Sequence, residues 1–267
     1  MDIVLFANST NERAARFTHF LEEKNERPVP VAPGARLPTF TGLPGGAVYF
    51  DQGEPNLFEL VAEARERIRY LGIALVVVTA RELRAAGADL VCDPGTPDAL
   101  LYKELSSRCQ AREVDAEMRR QLADPLSAAV CQAIRQMTGM EATLQSVHRR
   151  EQPAALGDIV VSLELTSAVP GLLVMNFSTA TAQAFARQVF AEVHEEPTPT
   201  LVQDCMGEIA NVVAGQAKAL LHGTPYHFSF SPPLVQPAQA AKFPESMSSL
   251  VLAFDSDVGG CALQRCM

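Results

Sequence analysis

No stretch of this sequence reaches the ~18 consecutive apolar residues that a membrane-spanning helix needs, so membrane insertion is not expected. The opening M-D-I-V-L-F-A-N has no basic segment ahead of its apolar run and reads as a buried strand, not a secretion signal. Positive charge is in deficit. Against 31 Asp and Glu stand 22 Lys and Arg, and a net charge of −9 disfavours nucleic acid as a partner. Cysteine is present but not arranged for chemistry. Cys92, Cys109, Cys131, Cys205, Cys261 and Cys266 include no C-x-x-C pair and no histidine at metal-ligand spacing. They are expected as reduced thiols filling the core of a cytoplasmic protein, with no metal bound. A glycine-rich phosphate loop, a nucleophile elbow and a metal-ligand cluster are all missing.

What the sequence does have is a long apolar helix with one polar stripe. Residues 200–222 read T-L-V-Q-D-C-M-G-E-I-A-N-V-V-A-G-Q-A-K-A-L-L-H. The entry E-E-P-T-P-T and the exit His222-Gly223, with Pro225 close behind, are helix start and stop signals. Asp204, Glu208, Asn211, Gly215, Lys218 and His222 recur every three or four residues, which places them on one face. Such a stripe is ordinarily a solvated helix face. Here the rest of the helix is unusually apolar, and Gly215 sits mid-helix, where glycine costs ~1 kcal/mol relative to alanine. A glycine beside two hydrogen-bonding side chains leaves room for a close approach. Cys205 has Asp204 and Glu208 as neighbours, which would not lower a thiol pKa, so cysteine-phosphatase chemistry is rejected.

A length of 267 residues suggests two domains. In the first, strands are expected at 3–7, 47–50, 73–78 and 89–92. Helices are expected at 11–23, 56–71, 81–86 and 96–109. The Pro- and Gly-rich stretch 27–46 reads as a weak edge strand and a long loop. This alternation implies a parallel sheet with helices on both faces. The charged segment 111–121 reads as a stiff helical linker. Asp124 then reads as an N-cap, with Pro125 opening a helix to 138. Strands at 143–149, 158–166 and 172–177 alternate as in an antiparallel sheet with one covered face. A helix at 181–190 follows, then the long helix, then strands at 226–230, 249–254 and 260–264, with the proline-rich stretch from Pro232-Pro233 through Q-P-A-Q-A-A-K-F-P expected as a loop between the first two. His148 lies beside Arg149 and Arg150 and reads as exposed. His222 ends the long helix, where a cation can meet the last carbonyls.

The pattern D-x-x-x-E-x-x-N, continuing as E-I-A-N-V-V-A-G-Q-A-K, resembles the signature helix of the CheX branch of the CheC/CheX/FliY phosphatases. The resemblance covers residues 122–267, with flanking strands in the family's order. It implies an α+β domain of helices on a long antiparallel sheet. Asp204, Glu208, Asn211 and Gly215 all match. Glu208 and Asn211 then correspond to the pair that removes phosphate from the receiver protein CheY. The helix at 181–190 has no E-x-x-N, so the pattern is the one-site CheX type. The resemblance implies a phosphorylated CheY-like receiver as partner, carrying its own Mg²⁺, in chemotaxis or two-component signalling. It implies no cofactor on this chain. An acyl phosphate needs only a water held in line with its leaving oxygen. Asn211 would hold that water, and Glu208 would pair with the receiver's lysine. The family also pairs through its sheets, so a homodimer is expected, with an apolar edge such as 250–254.

Residues 1–110 resemble a response-regulator receiver (CheY-like), a flavodoxin-like α/β fold. Asp51 matches the phosphoacceptor and Thr79 the conserved hydroxyl. Ala7 and Asn8 stand where a receiver has its acidic Mg²⁺-binding pair, and Asp93-Pro94 where it has Lys-Pro. A degenerate pseudo-receiver is expected, with Asp51 not phosphorylated and with Asp51 and Thr79 acting as strand-end caps. Two alternatives to the enzyme stand beside it. One is a non-catalytic receiver-binding or dimerising module regulated through the degenerate receiver. The other is an output protein switched by phosphorylation of its own receiver half.

Overall fold

Ile3, Val4, Leu5 and Phe6 follow one another without a polar break and are all buried, the mark of a strand covered on both faces. They belong to β1 (Asp2–Phe6), second in a five-stranded parallel sheet. A computed structural model describes the chain except for residues 33, 34, 36, 41, 82, 84–86 and 192–195. It divides into two units, Met1–Ala111 and Arg112–Met267.

In the first unit β1 is followed by α1 (Glu12–Glu23), β2 (Arg27–Val31), β3 (Pro44–Phe50), α2 (Leu57–Ile68), β4 (Leu75–Val78), β5 (Leu90–Cys92) and α3 (Asp98–Arg108). The strand order is β2-β1-β3-β4-β5, all pairs parallel. Pro28 and Pro30 have no N–H to give a second neighbour, and β2 accordingly lies at the edge. Ile3, Leu5, Val48, Phe50, Val76 and Val78 pack against Ala14, Phe17 and Leu21 of α1 and Leu101 and Leu105 of α3. Strand alternation turns Phe6 and Tyr49 to the other face, where their rings stack at 6.3 Å. α2 buries Val61, Ala64 and Ile68 there, so helices cover both faces and the unit is flavodoxin-like. The helix expected at 81–86 lies outside the described residues, apart from positions 81 and 83.

The second unit opens with a bridge. Arg112 and Arg149 exchange both backbone hydrogen bonds at 2.9 Å. The helical run then starts earlier than expected. Asp115 caps α4 (Ala116–Met118), accepting from the Met118 N–H at 2.8 Å. A π turn (Arg119–Ala123) leads without a break into α5 (Asp124–Thr138), which Gly139 ends at φ +71°. Asp124 is therefore no N-cap: its φ and ψ of −63° and −46° are helical. The Asp124-Pro125 pair suits a cap, but Asp115, nine residues upstream, already caps the helical run.

Next come β6 (Ala142–Arg150), β7 (Ile159–Thr166), β8 (Gly171–Phe177), α6 (Thr179–Val189), α7 (Pro199–Leu220), β9 (Ser229–Phe230), β10 (Leu234–Pro237), β11 (Ser249–Ser256) and β12 (Cys261–Cys266). The sheet is antiparallel, in the order β10-β7-β8-β12-β11-β6, and β9 also pairs with β7. α5, α6 and α7 share one core with its inner face, including Leu163, Met175, Phe177, Leu252 and Leu263.

Three expectations are corrected here. The 250–254 segment is no edge: β11 lies between β12 and β6, and the edges are β6 on one side and β10, with the short β9, on the other. The expected strand at 226–230 shortens to Ser229–Phe230, and β10 forms in the proline-rich segment read as a loop. The outer face is not bare. Val160, Val174 and Cys266 pack there with Ala155, Ala238, Ala241, Phe243 and Met247. Gln264 Nε2 donates to the Ala154 carbonyl at 2.7 Å, and Asn176 Oδ1 accepts from the Leu156 N–H at 2.9 Å. Two buried carboxamides on the outer face thus hold down the segment that covers them.

Candidate functional site

Helix α7 begins where Pro199 takes the first helical position and the Thr198 hydroxyl accepts from the Leu201 N–H at 3.3 Å. It runs 22 residues, and Gly223, in the left-handed region at φ +78°, follows its end. Val202, Cys205, Met206, Ile209, Ala210, Val213, Ala214 and Ala217 are buried against the core. Full burial of a side chain such as Ile209 contributes about 1.5–3 kcal/mol. The helix is a rigid platform, and Gln216 Nε2 donates to Gln136 Oε1 at 3.0 Å, tying it to α5.

The polar stripe faces outward. Asp204, Glu208, Gly215 and His222 are exposed, and Asn211 and Lys218 are half-buried. Among the described residues, no hydrogen bond or ion pair engages the side chains of Asp204, Glu208, Asn211 or Lys218. Their polar groups are therefore available to a docked molecule. Glu208 and Asn211 project together, three residues apart on one face. His222 meets the His227 ring edge-on at 5.2 Å, and no bond from its side chain to a helix carbonyl is found among the described residues. Cys205 is buried beneath the stripe, and burial pushes its thiol up to about 11, so it holds no nucleophilic thiolate.

The two glycines of α7 differ. A Cβ at Gly207 would lie 3.2 Å from Val235 Cγ2 and 3.8 Å from Pro233 Cγ, so this glycine lets the β10 segment close on the helix. A Cβ at Gly215 would meet nothing within 4 Å among the described residues. Sequence inspection singled out Gly215 alone. The contact at Gly207 depends on β10, which was read as loop.

In the first unit, Asp51 and Thr79 come together at the ends of β3 and β4. Thr79 Oγ1 donates to Asp51 Oδ2 at 2.5 Å, and the Gly53 N–H donates to Oδ1 at 2.8 Å. The third partner was not anticipated: Arg81 Nη2 donates to Asp51 Oδ1 at 3.1 Å, while its Nη1 reaches the Glu54 carbonyl at 2.5 Å. Both carboxylate oxygens are thus taken, and the side chain is 9% exposed. Asp93 turns to its own loop, accepting from the Gly95 N–H at 2.7 Å. Ala7 and Asn8 supply no carboxylate, so these residues do not fit a Mg²⁺ ion. A cation two residues past Thr79 was the available signal for Arg81.

Residues 159–255 match the family described as chemotaxis phosphatase CheX. The C-terminal unit is CheX-like. The matched segment runs from β7 into β11 and contains all of α7. Solved structures similar to the chain include a chemotaxis protein CheX from Desulfovibrio desulfuricans, at 19% identity over 53% of this chain and 95% of that one, with a TM-score of 0.48. A CheC-like superfamily protein from Shewanella sp. PV-4 matches at 20% identity over 57% of this chain and 98% of that one, with a TM-score of 0.48. A CheX–CheY complex with BeF₃ and Mg²⁺ from Borrelia burgdorferi matches at 18% identity over 53% and 94%, with a TM-score of 0.42. No curated protein matches the chain. No helix among the described residues is long and apolar enough to cross a membrane.

Proposed function

We propose that the CheX-like unit dephosphorylates the phospho-aspartate of a CheY-like receiver by laying the exposed stripe of α7 into the receiver's active site. The observation that carries this is the pair Glu208 and Asn211, unengaged by the chain's own side chains and lying inside the segment that matches the CheX family. In this mechanism Asn211 positions a water in line with the phosphorus–oxygen bond to the aspartate carboxylate; the water's oxygen bonds to phosphorus as that bond breaks, and the free carboxylate leaves. Glu208 makes a charge-assisted contact with a receiver cation and fixes the register of docking. Mg²⁺ belongs to the receiver, where it neutralises the phosphoryl oxygens.

Inorganic phosphate release from phosphorylated CheY-like receivers tests the reading. Asn211→Ala is expected to lower kcat by ~10²–10³ with docking retained, the usual loss for one positioning or electrostatic group. Glu208→Ala should raise KM as well as lower kcat. Asp204→Ala, a further turn away, should do less. Unchanged release rates in both Glu208→Ala and Asn211→Ala would retire the catalytic role and leave a receiver-binding module.

The first unit is proposed as a pseudo-receiver. Its Asp51 carboxylate is paired with Arg81, and no second carboxylate stands at Ala7 or Asn8. Beryllofluoride with Mg²⁺ is expected to move no amide resonance near Asp51; a saturable shift there would contradict it. A homodimer is proposed through a sheet edge, which the strand order restricts to β6 or β10. Light scattering that gives a monomer mass at tens of micromolar would count against it, taking ~10 μM as a weak-interface Kd.

A further inference from the structure

Gly215 has no reason inside the chain to be glycine. Glycine is the poorest helix former after proline. In buried helices it is kept where a neighbour comes close enough to crowd a Cβ, as Val235 does at Gly207. At Gly215 a Cβ would meet nothing within 4 Å among the described residues, and the residue is exposed. Its backbone does not lie in the left-handed region. Neither space nor conformation calls for glycine at this position. The bare stretch of helix backbone lies one turn beyond Asn211 and one turn before Lys218, on the same face.

Charge changes sign along the stripe at this saddle. Asp204 and Glu208 lie on its N-terminal side and Lys218 on its C-terminal side, along one stripe of α7. Lys218 makes no ion pair among the described residues. Seven residues separate it from Asn211, roughly 10 Å along the axis at the helical rise. A molecule seated across the stripe would therefore offer a cation toward Glu208 and an anion toward Lys218. A receiver that binds Mg²⁺ through carboxylates has such an acidic rim beside its phosphoryl group.

We infer that the docking footprint extends past the Glu208/Asn211 pair, with receiver backbone packed directly on Gly215 and a receiver carboxylate paired with Lys218. This rests on the receiver-phosphatase reading above. Gly215 and Lys218 are then positioning residues that act on affinity, not on the chemical step.

The test uses the full-length chain and CheY-like receivers of the source organism loaded with beryllofluoride and Mg²⁺, together with phosphate release from the phosphorylated forms. Gly215→Ala is expected to raise the unfolding temperature, because alanine is the better helix former. The same variant should weaken receiver binding, with Kd and KM up by about fivefold or more and kcat within about twofold. Gly215→Val should weaken binding further. Lys218→Ala should raise Kd and flatten its salt dependence, and Lys218→Arg should restore much of both. A Gly215→Ala protein that melts higher and binds as the wild type does would overturn the inference and leave the catalytic reading intact. A Gly215→Ala change in the chain's own oligomeric mass, with receiver binding unaltered, would also overturn it by giving the surface to a second copy. Wild-type binding without phosphate release, weakened by Gly215→Ala, would support the footprint and retire the catalytic reading. Failure of every receiver to bind would overturn the footprint.

Discussion

The imidazole of His148 lies on β6 with no solvent access, its Nδ1 3.5 Å from Ser146 Oγ and its Nε2 without a hydrogen-bond partner among the described residues. Burial, assisted by the charge of Arg150, pushes its pKa down to about 3 from 6.5. An unfolded chain takes up this proton near pH 6.5, while the folded chain resists until about pH 3. The unfolded state binds more protons in that window, so this residue makes stability fall as pH falls through it, by up to about 1.4 kcal/mol per pH unit. Urea unfolding from pH 7 to 4 should show the slope, and His148→Gln should flatten it relative to wild type. Equal slopes would mean that the imidazole is not the group responsible. Residue-scale reading of the sequence failed here. Arg149 and Arg150 beside His148 suggested water, but burial on a strand is decided by which face and which neighbours it meets. Helical spacing does put Glu208 and Asn211 on one outward face of α7, because it is a local property and three residues suffice to bring two side chains together. Arg81 is the intermediate case. Its charge was visible, but its pairing with Asp51 spans 30 positions and depends on β3 and β4 lying side by side.

At the level of elements, α7 and β10 depend on each other through Gly207. Alanine there requires Val235 to give by a few tenths of an ångström, which a short edge strand can do. The helix-propensity gain of ~1 kcal/mol should offset the crowding, so Gly207→Ala is expected to be near neutral. Leucine cannot be accommodated that way. Gly207→Leu should destabilise the unit by about 1–3 kcal/mol, the usual cost of overpacking. It should also speed hydrogen exchange of the β10–β7 amides at Val160 and Ser162 while sparing those between β8 and β12. Uniform acceleration across the sheet would show that β10 is not a separable edge. Helices α1, α2, α5, α6 and α7 were legible because each carries a sustained 3.6-residue apolar stripe. β10 was hidden because Pro232, Pro233 and Pro237 look like loop. A proline at the end of an edge strand costs no ladder bond, so the strand forms regardless.

Across the whole molecule, the switch from strand–helix alternation to consecutive antiparallel strands marked two architectures, and the fold contains both. Strand order was the part that could not be read. The pairing of β11 between β12 and β6 joins segments about a hundred residues apart, and no local pattern encodes it. The same order determines how the chain should respond to division. Each unit has its own sheet and its own core, and α7 packs on elements of the second: α5, α6 and the β7, β8 and β10 strands. Such a unit carries what it needs to fold alone. A fragment of residues 112–267 keeps Arg112 and with it the bridge to Arg149 of β6. It is expected to unfold in one cooperative transition and to release phosphate from a phosphorylated receiver with kcat within about threefold of the full chain. The proposed pseudo-receiver would then act on the amount or placement of activity and not on the chemical step. A soluble, cooperatively folded fragment with kcat lowered by about a hundredfold or more would instead assign the first unit a direct part in assembling the α7 site.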